Sequence, residues 1–317
     1  METIIGTDIN LAQQFLEQGN VIGIPTETVY GLAGNALNEE AVLKIFSVKN
    51  RPYFDPLIVH THSLDEVTKY TQQVPQRAFD LMEAFMPGPL TVLLPRQSCI
   101  PDLVTSGLET VAVRIPNHPL TLSLLQQLAF PLAAPSANPF GYISPTTSYH
   151  VYDQLHGRIP YILEGGATEI GVESTIVGFE NNQAVVYRLG GLAIEEIERV
   201  VGKVLVQTNT SSDPKSPGML KSHYAPRKRL VLTDAFDIVD DELSRVGVIA
   251  WDKKVVGVPD HHQLVLSEKG SLKEAAKHLF AAMRTLDETD VDYIIAVRVP
   301  DVGLGRAIND RLKRAAA

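Results

Sequence analysis

Two cations, Lys49 and Arg51, close the stretch KIFSVKNRP (44–52), a short way beyond the polar turn PTETVYGLAGNA (25–36). Arginine offers a planar fork for phosphate or carboxylate, and lysine a point charge for a phosphate oxygen. Such a pair suits a polyphosphate. Yet the chain contains neither G-x-x-x-x-G-K-[ST] nor G-x-G-x-x-G after a strand, since GLGRA (303–307) lacks the third glycine. Other polar residues fall at the ends of strand-like runs, where α/β proteins put their ligands. These are Thr26, Glu27 and Thr28 after VIGIP, His60 after PLIV, Arg114 within VAVRIP, and Ser136 and Asn138 after PLAAP. Each alone has a plainer reading: Thr28 as a turn residue, His60 as a strand-end histidine, Ser136 and Asn138 as makers of a local turn bond. Lys49 and Arg51 could simply complement the dipole of a helix that stops at Pro52. Their place between the polar turn and the strand ending at His60 lets all of them face one cleft. No H-E-x-x-H occurs, so no protein-held metal is expected.

The elements that must hold these residues alternate in type. Runs rich in Val, Ile and Leu and bounded by Pro or Gly recur between residues 20 and 190: NVIGIP, PLIVH, TVLLP, TVAVRIP, PLAAPS, PYILEGG, STIVGF and AVVYRL. Between them NEEAVLKIFSVKN places Val42, Ile45 and Phe46 on one helical face. SLDEVTKY opens with Ser63 and Glu66 spaced as a capping box, and Pro75 starts PQRAFDLMEAF. The pattern predicts an α/β fold with a large twisted mixed sheet, because STIVGF and AVVYRL follow each other with no helix between them. Residues 1–206 form the expected first domain. The polar, Pro-containing stretch 207–229 is too long for an ordinary connection and reads as an interdomain linker. Residues 230–317 read as a smaller, Rossmann-like α/β unit with strands at LVLTDA, RVGVIAW and DYIIAVRVP and a strong amphipathic helix at SLKEAAKHLFAAMRTLDE.

Composition narrows the function. The chain has 317 residues, 44% of them hydrophobic, which supports two cores. Its first residues lack the basic start and apolar stretch of a signal peptide, and no apolar run reaches the roughly 20 residues that span a bilayer. Cys99 is the sole cysteine, which fits a reducing compartment, so a cytoplasmic protein without membrane contact is expected. Residues 1–206 carry 11 Lys and Arg against 21 Asp and Glu, and the remainder 17 against 16. An acidic first domain is a poor non-specific binder of nucleic acid. The basic segments APRKRL and RLKRAAA are the places where weak tRNA contact could occur, or else a solvated loop and a frayed tail.

PTETVYGL, KNRP with PLIVH, VAVRIP, APSAN, GVESTI and SPGMLKSHYAP together resemble the YrdC-type L-threonylcarbamoyladenylate synthases, in their two-domain form with a C-terminal extra domain. The resemblance runs from about residue 10 to Pro226. It implies a YrdC-like fold and a nucleotidyltransferase reaction in which L-threonine, bicarbonate or CO2, and ATP give L-threonylcarbamoyl-AMP and pyrophosphate. It implies that Mg2+ comes with the ATP, and that the product passes to a tRNA threonylcarbamoyl transferase complex acting beside the anticodon. Matched motif by motif, it puts ATP on Lys49, Arg51, Asp55, Thr110, Ser136, Asn138, Ser144, Arg188 and Tyr224. L-Threonine falls to Thr28, His60, Arg114, Ala134 and Ser174, with Arg114 on the carboxylate. Lys49 and Arg51 are the expected catalytic cations. It also implies that SPGMLKSHYAP folds over the site as a lid. The second domain, which lacks a catalytic constellation, would then close the linker or dock a partner.

Two alternatives stay open at this point. One is a related carbamoyl-adenylate chemistry using carbamoyl phosphate, against which the lack of zinc-finger cysteines counts. The other is a non-catalytic module binding tRNA or double-stranded RNA, against which the acidic balance of residues 1–206 counts.

Overall fold

The computed structural model describes residues 2–208, 223–235 and 240–317. In chain order the first part comprises β1 (Ile4–Gly6), α1 (Ile9–Glu17), β2 (Ile22–Ile24), β3 (Gly31–Asn35), α2 (Glu39–Lys49), β4 (Ile58–His60), α3 (Leu64–Tyr70) and α4 (Gln76–Phe85). There follow β5 (Leu90–Pro95), α5 (Asp102–Thr105), β6 (Thr110–Arg114), α6 (Pro119–Gln127), β7 (Leu132–Ala133), α7 (Ser148–Leu155), β8 (Tyr161–Leu163), β9 (Thr175–Glu180), β10 (Gln183–Arg188), α8 (Ile194–Val201) and β11 (Leu205–Val206). The second part holds β12 (Arg229–Thr233), β13 (Val246–Ala250), β14 (Gln263–Val265), α9 (Leu272–Glu288), β15 (Tyr293–Val297) and α10 (Gly305–Ala315).

The first eleven strands form one mixed sheet in the order β1-β8-β2-β3-β7-β4-β6-β5-β9-β10-β11. The expected hairpin is present, with β9 antiparallel to β10. The remaining strands make a parallel sheet, β12-β15-β13-β14. Among the described residues no helix is long and apolar enough to cross a membrane. Part of the expected linker, residues 209–222, lies outside the described residues.

Period-2 alternation decides what each half of the large sheet does. On β4, β6, β5, β9 and β10 one set of side chains, including Val59, Val113, Val92, Val177 and Val186, packs with Val42, Ile45 and Phe46 of α2 and Ala78, Leu81 and Met82 of α4. Their alternates face the other way. Ile58, Ala112, Leu93, Ile176, Val185 and Tyr187 make an apolar patch there, and His60, Arg114, Thr91 and Ser174 continue the same face at one end of the strands. The half built from β1, β8 and β2 is closed by α1 and α6 through Ala12, Leu16, Leu124 and Leu125. One face of half the sheet is thus left for function.

Local chemistry sets the helix ends. Asn38 caps α2 by accepting from the Glu40 and Ala41 amides, and the helix stops at Lys49 because Asn50 takes a left-handed conformation (φ 52°). The stop therefore comes before Pro52, the residue at which the sequence predicts it. Ser63 caps α3 as expected, but the Glu66 carboxylate pairs with Lys69, so only half of the anticipated capping box forms.

The domains meet along a buried seam. Val29, Ile143 and Val172 pack with Leu279, Phe280 and Met283 of α9 and Ile308 and Leu312 of α10. Arg284 of α9 donates to the Ile143 carbonyl, and the Tyr142 hydroxyl donates to Asp287 at 2.7 Å. Gly171, at φ +82°, lies so close to α9 that a Cβ there would sit 2.4 Å from the Ala276 carbonyl oxygen and 2.5 Å from Lys277 Cα. Both obstacles are backbone and cannot rotate away. Gly171→Ala is therefore expected to destabilise the protein by about 2–4 kcal/mol, through strain and overpacking together. A thermal melt superimposable on that of the wild type would show instead that the seam relaxes at no cost.

Candidate active site

The polar end of the open sheet face forms the floor of a cleft lined by Thr26, Arg51, Ile58, His60, Arg114, Ala134, Ser136, Glu173, Arg188, His223 and Tyr224. Its free volume is only about 50 Å³. A neighbouring groove of about 410 Å³ covers the apolar end of the same face, lined by Leu93, Leu108, Thr110, Gly178 and Tyr187. Ile58 borders the first and belongs to the patch that floors the second.

At one side α2 delivers the two cations. Lys49 is buried, and its ammonium donates to the Ser136 and Asn138 carbonyls at 2.5 and 2.6 Å. Burial, then the charge of Arg51, hold its pKa well below the usual lysine value. Arg51 pairs with Asp55 (Nη2–Oδ2 2.9 Å) and donates to the Asp55 and Pro56 carbonyls at 3.0 and 2.8 Å. It lines the cleft; Lys49 lies behind it. The Asn138 side chain turns away into its own loop, donating to the Pro139 and Tyr142 carbonyls at 2.8 Å each.

Arg114 ends β6 at the opposite side, where it meets Glu27 at 2.8 Å and donates to the Thr28 hydroxyl at 2.9 Å. The Thr28 and Thr26 hydroxyls are 2.8 Å apart. His60 is buried beside Arg114; burial first, and then that positive charge, push its pKa down to about 3, so the imidazole is neutral at physiological pH. Ser174 shares a hydrogen bond with Thr91 (2.7 Å) and accepts one from Arg188 (3.0 Å). A register shift in the β9/β10 hairpin between Val186 and Arg188 lets Arg188 reach the cleft directly after Tyr187 has filled the groove, the re-aiming that bulges produce.

The remaining wall comes from both domains. Glu173 accepts from the Ser144 hydroxyl (2.5 Å) and from Arg311 Nε of α10 (2.8 Å). Burial alone would raise the Glu173 pKa, but the charges of Arg311 and Arg188 and the Ser144 bond outweigh it and hold the carboxyl below its usual range. Arg311 also donates to the Leu189 carbonyl at 2.7 Å, and its guanidinium lies 4.9 Å from the Tyr224 ring centroid. Tyr224 is buried at φ +67°, a conformation costing about 1–3 kcal/mol for a non-glycine residue. Stacking on Phe280 and Arg311, and the Ala225 amide donated to the Gly141 carbonyl, hold it there.

The structure thus gathers Arg51, His60, Arg114, Ala134, Ser136, Arg188 and Tyr224 in the cleft wall. Thr28, Ser144, Ser174, Lys49 and Asp55 stand directly behind these residues, and Thr110 lies in the adjoining groove. Of SPGMLKSHYAP, residues 216–222 lie outside the described residues, while His223 and Tyr224 contribute to the lining. The sequence alone assigns no role to Glu173, His223 or Arg311. Glu173 sits inside GVESTI, a motif whose resemblance to the family does not by itself single out the acid. Arg311 falls in RLKRAAA, which is no frayed tail but the end of α10, with Arg311 and Arg314 buried.

Residues 14–190 match the Sua5/YciO/YrdC family, described as "Telomere recombination", and residues 192–317 match the family of the threonylcarbamoyl-AMP synthase C-terminal domain. The chain is similar to the threonylcarbamoyl-AMP synthases of Pyrococcus abyssi and Bacillus subtilis. The first is 39% identical over 97% of this chain and 93% of the relative, the second 41% over 96% and 92%. A crystal structure of P. abyssi Sua5 complexed with L-threonine superimposes with a TM-score of 0.91 at 37% identity, covering 100% of this chain and 98% of the other. The chain belongs to the threonylcarbamoyl-AMP synthase family.

Proposed function

We propose that this chain is an L-threonylcarbamoyladenylate synthase whose cleft holds L-threonine at the Thr28–Arg114–Ser174 end and ATP across Arg51, Ser136, Arg188 and Tyr224. The observation that carries the reading is the convergence of Arg51, Arg114 and Arg188 on one small cleft, with Lys49 behind Arg51, in a chain belonging to this family. Cations so close repel one another, and a triphosphate beside an amino-acid carboxylate is the ligand set that relieves the repulsion. The adjoining groove supports seating the base toward Thr110, over Leu93 and Gly178.

The chemistry follows from position. The threonine amine adds to CO2 with loss of a proton, or condenses with bicarbonate with loss of water, to give a carbamate. A carbamate oxygen then attacks the α-phosphorus in line, and pyrophosphate leaves with the electron pair of the broken P–O bond. Such a displacement needs no protein nucleophile, and holding the reactants together supplies roughly 7–11 kcal/mol of the barrier. Arg51, backed by Lys49, offers charge to the polyphosphate. Arg114, oriented by Glu27, Thr28 and the Gly88 carbonyl through Nη2 and Nε, presents Nη1 to the threonine carboxylate. Neutral His60 can only orient by hydrogen bonding. Tyr224 and His223 cover the site and limit water, to which the mixed anhydride is labile. Asp55 and Glu173 are committed to arginines, which fits a Mg2+ that arrives on the triphosphate and is held by phosphate oxygens. Bound there, Mg2+ would neutralise developing charge on the leaving pyrophosphate. The product would pass to a transferase that modifies tRNA beside the anticodon, in the cytoplasm.

Mass detection of threonylcarbamoyl-AMP from the purified protein, ATP, L-threonine and bicarbonate tests the assignment; ATP turnover indifferent to threonine would defeat it. Arg51→Ala is expected to lower kcat/KM for ATP by about 10- to 100-fold, the value of a charged hydrogen bond. Normal threonine-dependent pyrophosphate release from that variant would remove Arg51 from the phosphate clamp. Lys49 supplies a pH test. Its pKa is depressed in the ligand-free cleft, and a neighbouring triphosphate raises it again, so between the two values ATP binding takes up a proton and weakens as pH rises. Calorimetry in buffers of different ionisation enthalpy should show that uptake in the wild type and not in Lys49→Met. Uptake unchanged by the substitution would assign the proton to another group.

A further inference from the structure

The second domain packs against the first through α9 and α10. Most of its contacts with the first domain lie at the seam, but one side chain reaches the back of the cleft wall. Arg311 is fully buried, comes from α10, and reaches the first domain 138 residues back in the chain. Its Nε and Nη2 donate to the Glu173 carboxylate and the Leu189 carbonyl, and the face of its guanidinium covers the Tyr224 ring. Glu173 passes the constraint on through its other oxygen, which accepts from Ser144. Leu189 is the residue after Arg188. One guanidinium therefore holds, directly or through one partner, Ser144, Arg188 and Tyr224, all on the nucleotide side of the cleft. No described hydrogen bond or ion pair joins it to Thr28, His60 or Arg114, and the threonine end meets this network only at Ser174, which accepts from Arg188.

We propose that Arg311 is a positioning residue for ATP: it satisfies Glu173 so that this carboxylate neither captures Arg188 nor repels the triphosphate, and it clamps Tyr224 in the covering position. The proposal rests on the nucleotide site argued above. Its electrostatic logic is simple. Glu173 is buried against the cleft wall, with Arg188 among the charges acting on it. Without Arg311 the acid becomes an unbalanced anion next to the phosphate site and competes with phosphate for Arg188. A mere tether between domains would not need this geometry, since Gly171, Tyr142–Asp287 and Arg306–Glu195 already join them outside the cleft.

The test compares wild type, Arg311→Met, Arg311→Lys, the double variant Arg311→Met/Glu173→Gln, and Arg306→Ala. It uses steady-state kinetics and direct calorimetric titration with ATP. Arg311→Met should raise KM and Kd for ATP by about 30-fold, as expected when one member of a buried charge pair is removed. KM for L-threonine, whose end of the cleft meets the network only through the Arg188–Ser174 bond, should rise by no more than about three-fold. Arg311→Lys keeps the charge but not the fork or the stack, so it should fall between. The double variant should regain about ten-fold over Arg311→Met, because a neutral glutamine no longer competes for Arg188. Arg306→Ala should match wild type. Parallel rises in both KM values, an unchanged ATP affinity in Arg311→Met, or a double variant no better than the single one would each overturn the proposal. Should Arg311→Met fail to fold, the lysine and double variants decide it. Calorimetry decides it even if wild-type turnover proves absent, a result that would instead defeat the proposed reaction.

Discussion

Burying positive charge is the constraint around which the first domain is arranged. Lys49, Arg51, Arg114, Arg188 and Arg311 are each at least 93% buried, so water has little access to them. A buried ion survives only where protein groups replace its hydration. The replacements differ in kind. Two peptide carbonyls hold Lys49, an acid and two carbonyls hold Arg51, and Glu27 and Thr28 hold Arg114. Ser174 accepts from Arg188, and Glu173 and Leu189 accept from Arg311. Acids thus balance some of the cations, whereas the hydrogen bonds of Lys49 go to peptide dipoles, and its burial depresses its pKa accordingly. The cleft keeps a surplus of positive character confined to a small volume.

The sheet makes such a concentration feasible in packing terms. Because alternate side chains of β4, β6, β5, β9 and β10 point to opposite faces, each strand can put valines into the core and polar groups into the cleft without a break in pairing. The same face changes along its length from His60, Arg114, Thr91 and Ser174 to Leu93, Gly178 and Tyr187. A ligand with one charged and one flat, weakly polar end fits that gradient. The bulge in the β9/β10 hairpin breaks the strict alternation, and it serves to bring Arg188 round to the cleft.

Much of this arrangement is legible in the amino-acid sequence. Short polar motifs ending apolar runs mark Thr28, His60, Arg114 and Ser136 as candidates for one cleft, and their runs are strands; VIGIP, PLIV and VAVRIP carry the β-branched residues that are a strong local signal, whereas PLAAP carries none. The strand Gly31–Asn35 carries no such signal. Its GLAGN composition has low strand propensity, and it forms because tertiary pairing with β2 and β7 overrides propensity. The glycines there suit a crowded site, where a Cβ at Gly34 would lie 3.0 Å from Val21. The pairing of Glu173 with Arg311 is illegible for a different reason. Partnership across two domains leaves no periodicity, and a basic stretch such as RLKRAAA looks solvated unless its burial is seen. The same holds for Arg114, whose residue type points to a carboxylate ligand while its internal partner, Glu27, stays hidden.

The long reach from Glu173 to Arg311 also bears on how the molecule comes to be. Closing a chain loop of 138 residues costs about 4 kcal/mol in configurational entropy by the usual logarithmic law, before any contact offsets it. Contacts so distant in sequence raise the contact order, which slows folding. The bonds that Arg311 makes to Glu173 and Leu189, and its cover over Tyr224, therefore exist only once α10 has docked, which ties the order of this wall to the stability of the second domain.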